Sequence, residues 1–398
     1  MAISIKLVRK FKPHRLCRKT GLIIPVVIRH SYRHQTRVRL MGTVSQFHDR
    51  ARPVAQRIES EEEAINTART LAAAFQRQSS ERDINRILPY QEIDALSQSG
   101  LGAITVPPEY EGLDIANSLL AEIVAIIAEG DPSIGEFLEV HFTVLDGFRQ
   151  QAGEELQRAL FARVLAGDRF AAAAFADAAA VSSRGLGYRL IGRSTSLPAV
   201  LFADWIAVGH DQTTLYLSSD SEGLQLVDDW DGLGQRTNGT AAIVASDLHV
   251  NADAVALVAH APSAIGELLH AAVDLGIARA VLCADAGAAQ ANNIGKLAVG
   301  IETVAALLER AGRKLDIAQI NMSGPAAEDA FFSASAARAV ASQLAIDASN
   351  LIFELAGENT ASIGLNLDRH WRNARIRALK TSADVLHQRA AHHVRKDR

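Results

Sequence analysis

The chain has few residues of the types that indicate a class of protein by themselves. Its 398 residues include two cysteines, Cys17 and Cys283, and only 5% of the residues are aromatic. Two isolated thiols provide neither a disulfide framework nor a metal site, so we expect a reducing compartment, the cytoplasm. No uncharged apolar run reaches the roughly 20 residues that a membrane-spanning helix needs. We therefore expect a protein that has no disulfide scaffold and does not associate with a membrane.

Motifs of several common classes are also missing. No Gly-x-Gly-x-x-Gly follows a predicted strand, and no Gly-x-Ser-x-Gly is present, which argues against a dinucleotide-binding fold and against a serine hydrolase. His392 and His393 have no ligand partners at a suitable spacing, so we expect no metal site. The net charge of −4 gives no reason to expect a nucleic acid as partner.

Acidic residues are absent from residues 1–40, which contain eleven of the chain's 41 Lys and Arg residues. Three interpretations stay open: translation of an upstream stretch with Met41 as the true start, a targeting presequence or tail, and a basic binding arm. We expect residues 1–50 to form a disordered basic extension.

Three blocks follow this extension. Residues 51–167 are rich in Ala and Glu at helical spacing, and Ser60 with Glu63 is a capping box at the first helix. Residues 168–262 contain short apolar runs separated by Gly, Asp, Ser and Asn, which predicts a small antiparallel sheet or barrel. Residues 263–398 return to long helical patterns and predict a four-helix bundle. The predicted class is a multidomain α+β protein. The predicted later helices are Ile115–Ile127, Ile134–Gln151, Glu154–Leu165, Glu267–Gln290, Ile294–Ala318, Ala326–Leu355 and Leu379–Val394.

Local motifs, together with this uncommon order of helices, sheet and bundle, indicate a known superfamily. Leu101–Pro107 followed by Tyr110–Gly112, Val227–Thr240 and Ala348–Gly357 resemble conserved segments of acyl-CoA dehydrogenases. Asn366–Arg375 is the most specific segment. It resembles the C-terminal signature of bacterial sulfur-acquisition oxidoreductases and dibenzothiophene-type monooxygenases. The chain is identified as a divergent member of the acyl-CoA dehydrogenase-like flavoprotein superfamily.

The resemblance implies a flavin-dependent oxidoreductase. It implies reduced FMN or FAD as cofactor, a separate flavin reductase, and oxygenation of a small organosulfur or similar apolar substrate in sulfur acquisition. Family members form homo-oligomers, as dimers of dimers. The flavin would lie between the sheet and the bundle, in a pocket that excludes bulk water.

The resemblance also suggests cofactor-binding residues, each with a structural alternative. The alternatives are a core histidine, a core tryptophan, a hairpin turn at Asn238-Gly239, and a helix end capped by glycine. No catalytic residue can be assigned. The candidates are His141, Trp205, Gln235, Arg236, Gly239, Thr240, Phe353, Glu354 and Gly357.

Several positions depart from the family pattern. Ala172 and Phe175 stand where the family has Asn and Ser, and Leu197 stands at the position of its Ser. Arg377 and Lys380 replace two imidazoles, and neither side chain releases a proton readily near neutral pH. The alternative is therefore a catalytically impaired paralogue that keeps the fold and acts, if at all, through assembly with an active homologue.

Overall fold

The computed structural model describes residues 54–177, 180–185, 187–210, 213–257, 263–282, 291–321, 323–355, 362–380 and 383–396. Pro53–Arg398 form one compact unit. The predicted basic extension at residues 1–50 lies outside the described residues.

Five helices make up the N-terminal part, and the predicted capping box begins the first of them. The Glu63 N–H donates to Ser60 Oγ at 3.2 Å, and the Glu63 carboxylate accepts from the Glu59 N–H at 2.9 Å. The third helix buries ten of its fourteen residues, because it packs against the first helix and against the C-terminal bundle. The helices are α1 Glu61–Asn85, α2 Tyr90–Gln98, α3 Asn117–Gly130, α4 Pro132–Gln151 and α5 Glu154–Leu165.

The middle part contains two four-stranded sheets, with strand orders β1-β4-β5-β8 and β2-β3-β7-β6. The prediction of antiparallel pairing holds for every described pair except β1 with β4, which is parallel. The parallel pair arises because the chain passes through β2 and β3, in the other sheet, before it returns as β4. The strands are β1 Phe170–Ala174, β2 Val181–Arg184, β3 Gly187–Arg193, β4 Trp205–His210, β5 Thr213–Ser218, β6 Leu224–Val227, β7 Ala242–Asn251 and β8 Val255–Leu257.

The C-terminal part has five helices in the described residues, one more than predicted. The additional helix, α9, coincides with the polar segment that carries the family signature, and ion pairs fix it to the rest of the chain. In contrast, α6 buries fourteen of its nineteen residues in the bundle. The helices are α6 Ala264–Leu282, α7 Ala291–Asn321, α8 Gly324–Leu355, α9 Asp368–Ala378 and α10 Ala383–Lys396.

The predicted order of helices, sheet and bundle is confirmed. None of the helices in the described ranges is both long and apolar enough to cross a membrane. The same ranges contain no group of three or more His, Cys, Asp or Glu side chains that could hold a metal ion.

Candidate functional site

A cleft lies between α4, the β1-β4-β5 sheet and the C-terminal bundle. It consists of an outer compartment of about 340 Å³ and an inner compartment of about 530 Å³. Thr143, Val144, Ala172 and Ser263 line both compartments. Volumes of about 300–1,000 Å³ are typical of sites for cofactors and small molecules.

The composition of the two central strands leaves room for this cleft. The inner wall consists of Ala172 and Ala173 on β1 and of Ala207 and Gly209 on β4. β1 and β4 are neighbours, with Ala172 opposite Ala207 and Ala174 opposite Gly209. Because alanine and glycine have almost no side chain, these four residues leave space between the two strands and the helices that cover the sheet.

The outer compartment has an apolar side and a charged side. Its apolar side consists of Val140, Ala172, Leu197 and Pro198. Charged or titratable side chains come from α4, α6 and α8, and from the residue pair that follows the end of α9. These are Glu139, Glu267, His270, Arg338 and Lys380.

Arg377, which replaces a family imidazole, is fully buried behind this compartment. Its guanidinium lies 2.7 Å from Asp274 Oδ1, 2.9 Å from Glu139 Oε2 and 3.1 Å from Glu136 Oε1. Burial lowers the pKa of Arg377, but the three carboxylates outweigh burial, so that the pKa is raised and the charge is permanent. Arg377 therefore joins α9 to α4 and α6, and its charge is already neutralised within the protein.

Lys380, which replaces the second imidazole, lines the outer compartment. Its ammonium donates to Glu136 Oε1, while Glu136 Oε2 accepts from Asn238 Nδ2 at 2.7 Å. The side chain of Glu136 is fully buried, whereas that of Lys380 is 34% exposed. Lys380 is thus a cation whose position is fixed by a buried carboxylate and which remains accessible to a ligand.

His270 lies between two of the same carboxylates. Its Nδ1 is 3.1 Å from Glu139 Oε1, and its Nε2 is 3.6 Å from Asp274 Oδ2, without a hydrogen bond. Burial, and then Arg377, lower the pKa of His270 against the opposing effect of Glu139 and Asp274. We assign the neutral ring with the Nδ1–H donating to Glu139, which leaves Nε2 as an unused acceptor.

The pKa of Glu139 is lowered, although burial alone would raise it. Burial raises this pKa, but Arg377, His270 and Lys380 outweigh burial and hold it well below its usual range. The carboxylate is therefore ionised throughout the ordinary pH range.

The inner compartment is lined by residues of α4, of the sheet, and of α6, α7 and α8. Asp146 on α4 accepts from Gln150 Nε2 and from Gln319 Nε2, each at 2.8 Å. Tyr216 on β5 lines the compartment and is buried. These polar groups interrupt a wall that is otherwise formed mainly by small and apolar residues.

His141, predicted to bind the cofactor, lies in the core beside α5 and the start of β1. Its Nε2 is 2.9 Å from the Gly102 carbonyl, and its Nδ1 accepts from the Phe170 N–H at 3.1 Å. Burial lowers the pKa of His141 to about 4, so the ring is neutral. Both ring nitrogens are used by the backbone, and neither compartment is lined by His141.

Trp205 begins β4, and its Nε1–H donates to Asp168 at 3.0 Å. The Gln235–Thr240 turn contacts the N-terminus of α4, where Ser133 Oγ donates to Gln235 Oε1 at 3.0 Å, and it contacts α9, where the Gln235 N–H donates to Asn373 Oδ1 at 2.7 Å. Gly239 has φ +69° and leaves no space for a Cβ beside the ring of Phe202. Trp205 and this turn, including Arg236 and Thr240, lie outside the lining of both compartments.

Phe353 and Glu354 are exposed near the end of α8, away from the cleft of their own chain. Gly357 lies outside the described residues. The predicted role of Phe353 and Glu354 at the cofactor of a neighbouring subunit stays a prediction.

Two positions that depart from the family pattern line the cleft, whereas His141, Trp205 and the Gln235–Thr240 turn do not. Ala172 and Leu197 line the cleft, so both changes replace a polar wall by an apolar one. Ser196, the neighbour of Leu197, donates instead to Asp229 at 2.8 Å. The sequence analysis missed Glu136, Glu139 and His270, although titratable residues between apolar ones in two predicted helices were a signal for them.

The chain matches two domains of one family. The N-terminal domain of acyl-CoA dehydrogenases matches residues 58–168, and their C-terminal domain matches residues 283–384. Together these ranges cover more than half of the chain. The chain is also 25% identical, over 362 residues, to the probable FMNH2-dependent monooxygenase SfnC of Pseudomonas putida. That match covers 81% of the chain and 92% of SfnC.

Solved structures agree with this assignment at the level of the fold. The dibenzothiophene monooxygenase TdsC of Paenibacillus sp. A11-2 superposes with a TM-score of 0.76 at 20% identity, over 85% of this chain and 98% of TdsC. TdsC with bound FMN gives 0.74 at 20% identity, over 84% and 98%. The methanesulfinate monooxygenase MsuC of Pseudomonas fluorescens gives 0.75 at 22% identity, over 82% and 95%.

Proposed function

The chain belongs to the acyl-CoA dehydrogenase family, and we propose that it is an FMNH2-dependent monooxygenase of a small organosulfur or similar apolar compound. The observation that carries this proposal is the two-compartment cleft between the sheet and the bundle, in a chain that is similar to SfnC over most of its length. The outer compartment suits the cofactor, and the inner compartment suits the substrate.

The residues of the outer compartment fit FMN. Ala172, Leu197 and Pro198 offer an apolar contact to the ring. Lys380, and Arg338, which donates to Glu267 Oε1 at 2.9 Å, offer positive charge. Two buried atoms of its lining residues, His270 Nε2 and Glu267 Oε2, have no hydrogen-bond partner among the residues that the structure describes, and buried polar atoms rarely stay unpaired. FMN, when bound in its reduced form, supplies the electrons that activate oxygen.

The other chemical tasks fall to side chains of this chain. Since Arg377 and Lys380 replace the family's imidazoles, proton handling needs another group. Among the described residues, His270 is the imidazole that lines the cleft, and we assign proton transfer to its Nε2. The apolar wall at Ala172 and Leu197 keeps bulk water from the reacting centre.

The proposal includes partners. A separate flavin reductase would supply reduced FMN, and the chain would act in the cytoplasm as a dimer of dimers. The exposed Phe353 and Glu354 on α8 would then meet a neighbouring subunit. Sedimentation equilibrium of the purified chain should give the mass of a tetramer, and a monomer at all concentrations would contradict this part.

The function is tested by turnover under ¹⁸O₂. The purified chain, a flavin reductase, FMN and NADH are incubated with methyl phenyl sulfide, methyl phenyl sulfoxide or dibenzothiophene. The proposal predicts oxygenated product that contains ¹⁸O, at a rate above the blank that contains the reductase alone. If no compound gave labelled product above that blank, the proposed function would be wrong.

One double variant separates this function from the impaired-paralogue alternative. Leu197→Ser with Lys380→His restores two family side chains on the wall of the outer compartment. The proposal predicts that the native chain already oxygenates a substrate. Product from the double variant alone would show that the fold retains the cofactor but that the native chain is impaired.

A further inference from the structure

His270 on α6 has a carboxylate on each side of its ring. Its Nδ1 lies 3.1 Å from Glu139 Oε1, and its Nε2 lies 3.6 Å from Asp274 Oδ2. The first distance is that of a hydrogen bond, whereas the second is too long for one. Because two acceptors would repel each other at the shorter distance, the neutral ring carries its proton on Nδ1. His270 Nε2 has no hydrogen-bond partner among the residues that the structure describes.

Arg377, which stands where the family has an imidazole, holds both carboxylates in place. Its Nη2 lies 2.9 Å from Glu139 Oε2, and its Nε donates to Asp274 Oδ1 at 2.7 Å. Each carboxylate thus turns one oxygen towards the guanidinium and the other towards the imidazole. Arg377 Nη2 also donates to the His270 carbonyl oxygen at 3.0 Å. Asp274 Oδ2 accepts from Ser342 Oγ at 2.5 Å, and a carboxylate oxygen has room for a second donor.

The charges around His270 come from three helices. Glu139 lies on α4, Asp274 lies one turn further along α6, and Arg377 lies on α9, with Lys380 beyond the end of that helix. Burial raises the pKa of Glu139, but Arg377, His270 and Lys380 outweigh burial and keep this pKa well below its usual range. An ionised carboxylate can only accept hydrogen bonds, so Glu139 fixes the direction of its bond with His270.

We propose that Glu139 and Arg377 are positioning residues for His270, which they hold with its proton on Nδ1 so that Nε2 can accept a proton from a ligand in the outer compartment. This inference rests on the proposed function, because it deepens the proton transfer assigned to His270. The transferred proton bonds to Nε2, the ligand keeps the electron pair, and the Nδ1–H stays on the ring. The imidazolium that forms then has a carboxylate acceptor at each nitrogen, Glu139 Oε1 and Asp274 Oδ2.

The position of the ring proton tests this inference on the full chain before any flavin is added. In a chain labelled with ¹⁵N-histidine, the ring signals distinguish a protonated nitrogen from a bare one. The signals that the His270→Gln variant lacks belong to His270. Near neutral pH we expect a proton on Nδ1 and a bare Nε2. A proton on Nε2 would overturn the inference without any further variant.

Glu139→Gln should reverse this tautomer. The amide of the variant has one acceptor, its oxygen, and one donor group, its NH₂. Because the Arg377 guanidinium only donates, the amide oxygen turns towards Arg377 and the NH₂ group faces His270 Nδ1. The ring must then accept at Nδ1 and carry its proton on Nε2, where it faces Asp274. If Glu139 only stabilised the fold, the variant would be less stable but would keep the ring proton on Nδ1.

The matched control is Glu122→Gln, which changes another carboxylate that an arginine of α6 holds. Glu122 accepts from Arg279 at 2.8 and 3.0 Å and lines neither compartment. This control should keep the native tautomer and the native kcat. Glu139→Gln should lower kcat about 10- to 100-fold with KM unchanged, because Nε2 no longer accepts a proton. A Glu139 variant that keeps the native tautomer, or that reverses it without a loss of kcat, would contradict the inference.

The two kinds of measurement separate this inference from the proposed function. The ring signals need neither flavin nor substrate. The expected tautomers without any ¹⁸O-labelled product would overturn the oxygenase function and support the positioning of His270. Labelled product from a native chain whose His270 carries its proton on Nε2 would support the oxygenase function and overturn the positioning.

Discussion

At the scale of single residues, two substitutions that look alike in the sequence have different roles. Arg377 and Lys380 both replace an imidazole of the family pattern. The structure buries Arg377 completely among three carboxylates and leaves Lys380 at the wall of the cleft. The sequence indicated that these positions were altered, but their partners on α4 and α6 are too distant in the chain to be predicted from spacing.

The first prediction is that loss of the Arg377 side chain destabilises the fold more than loss of the Lys380 side chain. Arg377→Met should lower the free energy of unfolding by about 3–5 kcal/mol, because it leaves buried carboxylates without their cation. Lys380→Met should cost about 1 kcal/mol or less, because the ammonium is partly exposed. Urea unfolding followed by circular dichroism measures both. Similar losses for the two variants would contradict the different roles.

The second prediction concerns His270, which faces Glu139 of α4, Asp274 of its own helix and Arg377 of α9. His270→Gln should lower kcat by about 10²–10⁴-fold and should remove the acidic limb of the pH–rate profile, if Nε2 handles a proton. The matched control is His249→Gln, since His249 is an exposed residue of β7, and this variant should leave the profile unchanged. An unaltered profile for the His270 variant would rule out this role.

The third prediction follows from the pKa of His141, which burial lowers to about 4. The unfolded chain takes up a proton below about pH 6.5, whereas the folded chain stays neutral at this ring. The stability contributed by His141 is thus complete above pH 6.5 and is lost as the pH falls towards 4. The difference in unfolding free energy between the native chain and His141→Gln should shrink by about 3 kcal/mol from pH 7 to pH 4. A constant difference in urea titrations across this range would contradict it.

At the scale of elements, the sequence predicted the helices that have a regular apolar pattern and missed the elements that lack one. α4 and α5 follow the predicted bounds closely, because apolar periodicity is strong and Gly, Asp and Pro mark their ends. α9 was not predicted as a helix, since buried ion pairs hold it in place of an apolar face. The parallel pairing of β1 with β4 was also missed, because it depends on the path of the chain and not on either strand's residues.

The fourth prediction tests the contact between α9 and the Gln235–Thr240 turn. A Cβ at Gly234 would lie 2.2 Å from the Arg372 carbonyl oxygen, so Gly234→Ala must push the turn away from α9. The expected loss of unfolding free energy is about 1–3 kcal/mol. Gly295→Ala is the control, since nothing lies within 4 Å of its Cβ in α7 and alanine favours a helix by about 1 kcal/mol. Loss of stability in both variants would contradict this contact.

At the scale of the whole molecule, the cleft is lined by residues from all three blocks of the sequence. Glu136 and Lys380, which meet at its wall, are 244 residues apart. Most of the lining consists of Ala, Thr, Gly and Gln, and these residue types carry no signal of chemistry in a sequence. The fold class was therefore predictable from order and motifs, whereas the lining of the site needed the three-dimensional structure.

The fifth prediction is the central one, that the outer compartment binds reduced FMN. The most direct measurement is an anaerobic titration of the purified chain with reduced FMN, followed by flavin fluorescence and calorimetry, with oxidised FMN and FAD for comparison. We predict micromolar binding of reduced FMN, weakened in the Lys380→Met variant. A folded chain that binds neither flavin in either oxidation state would contradict the account.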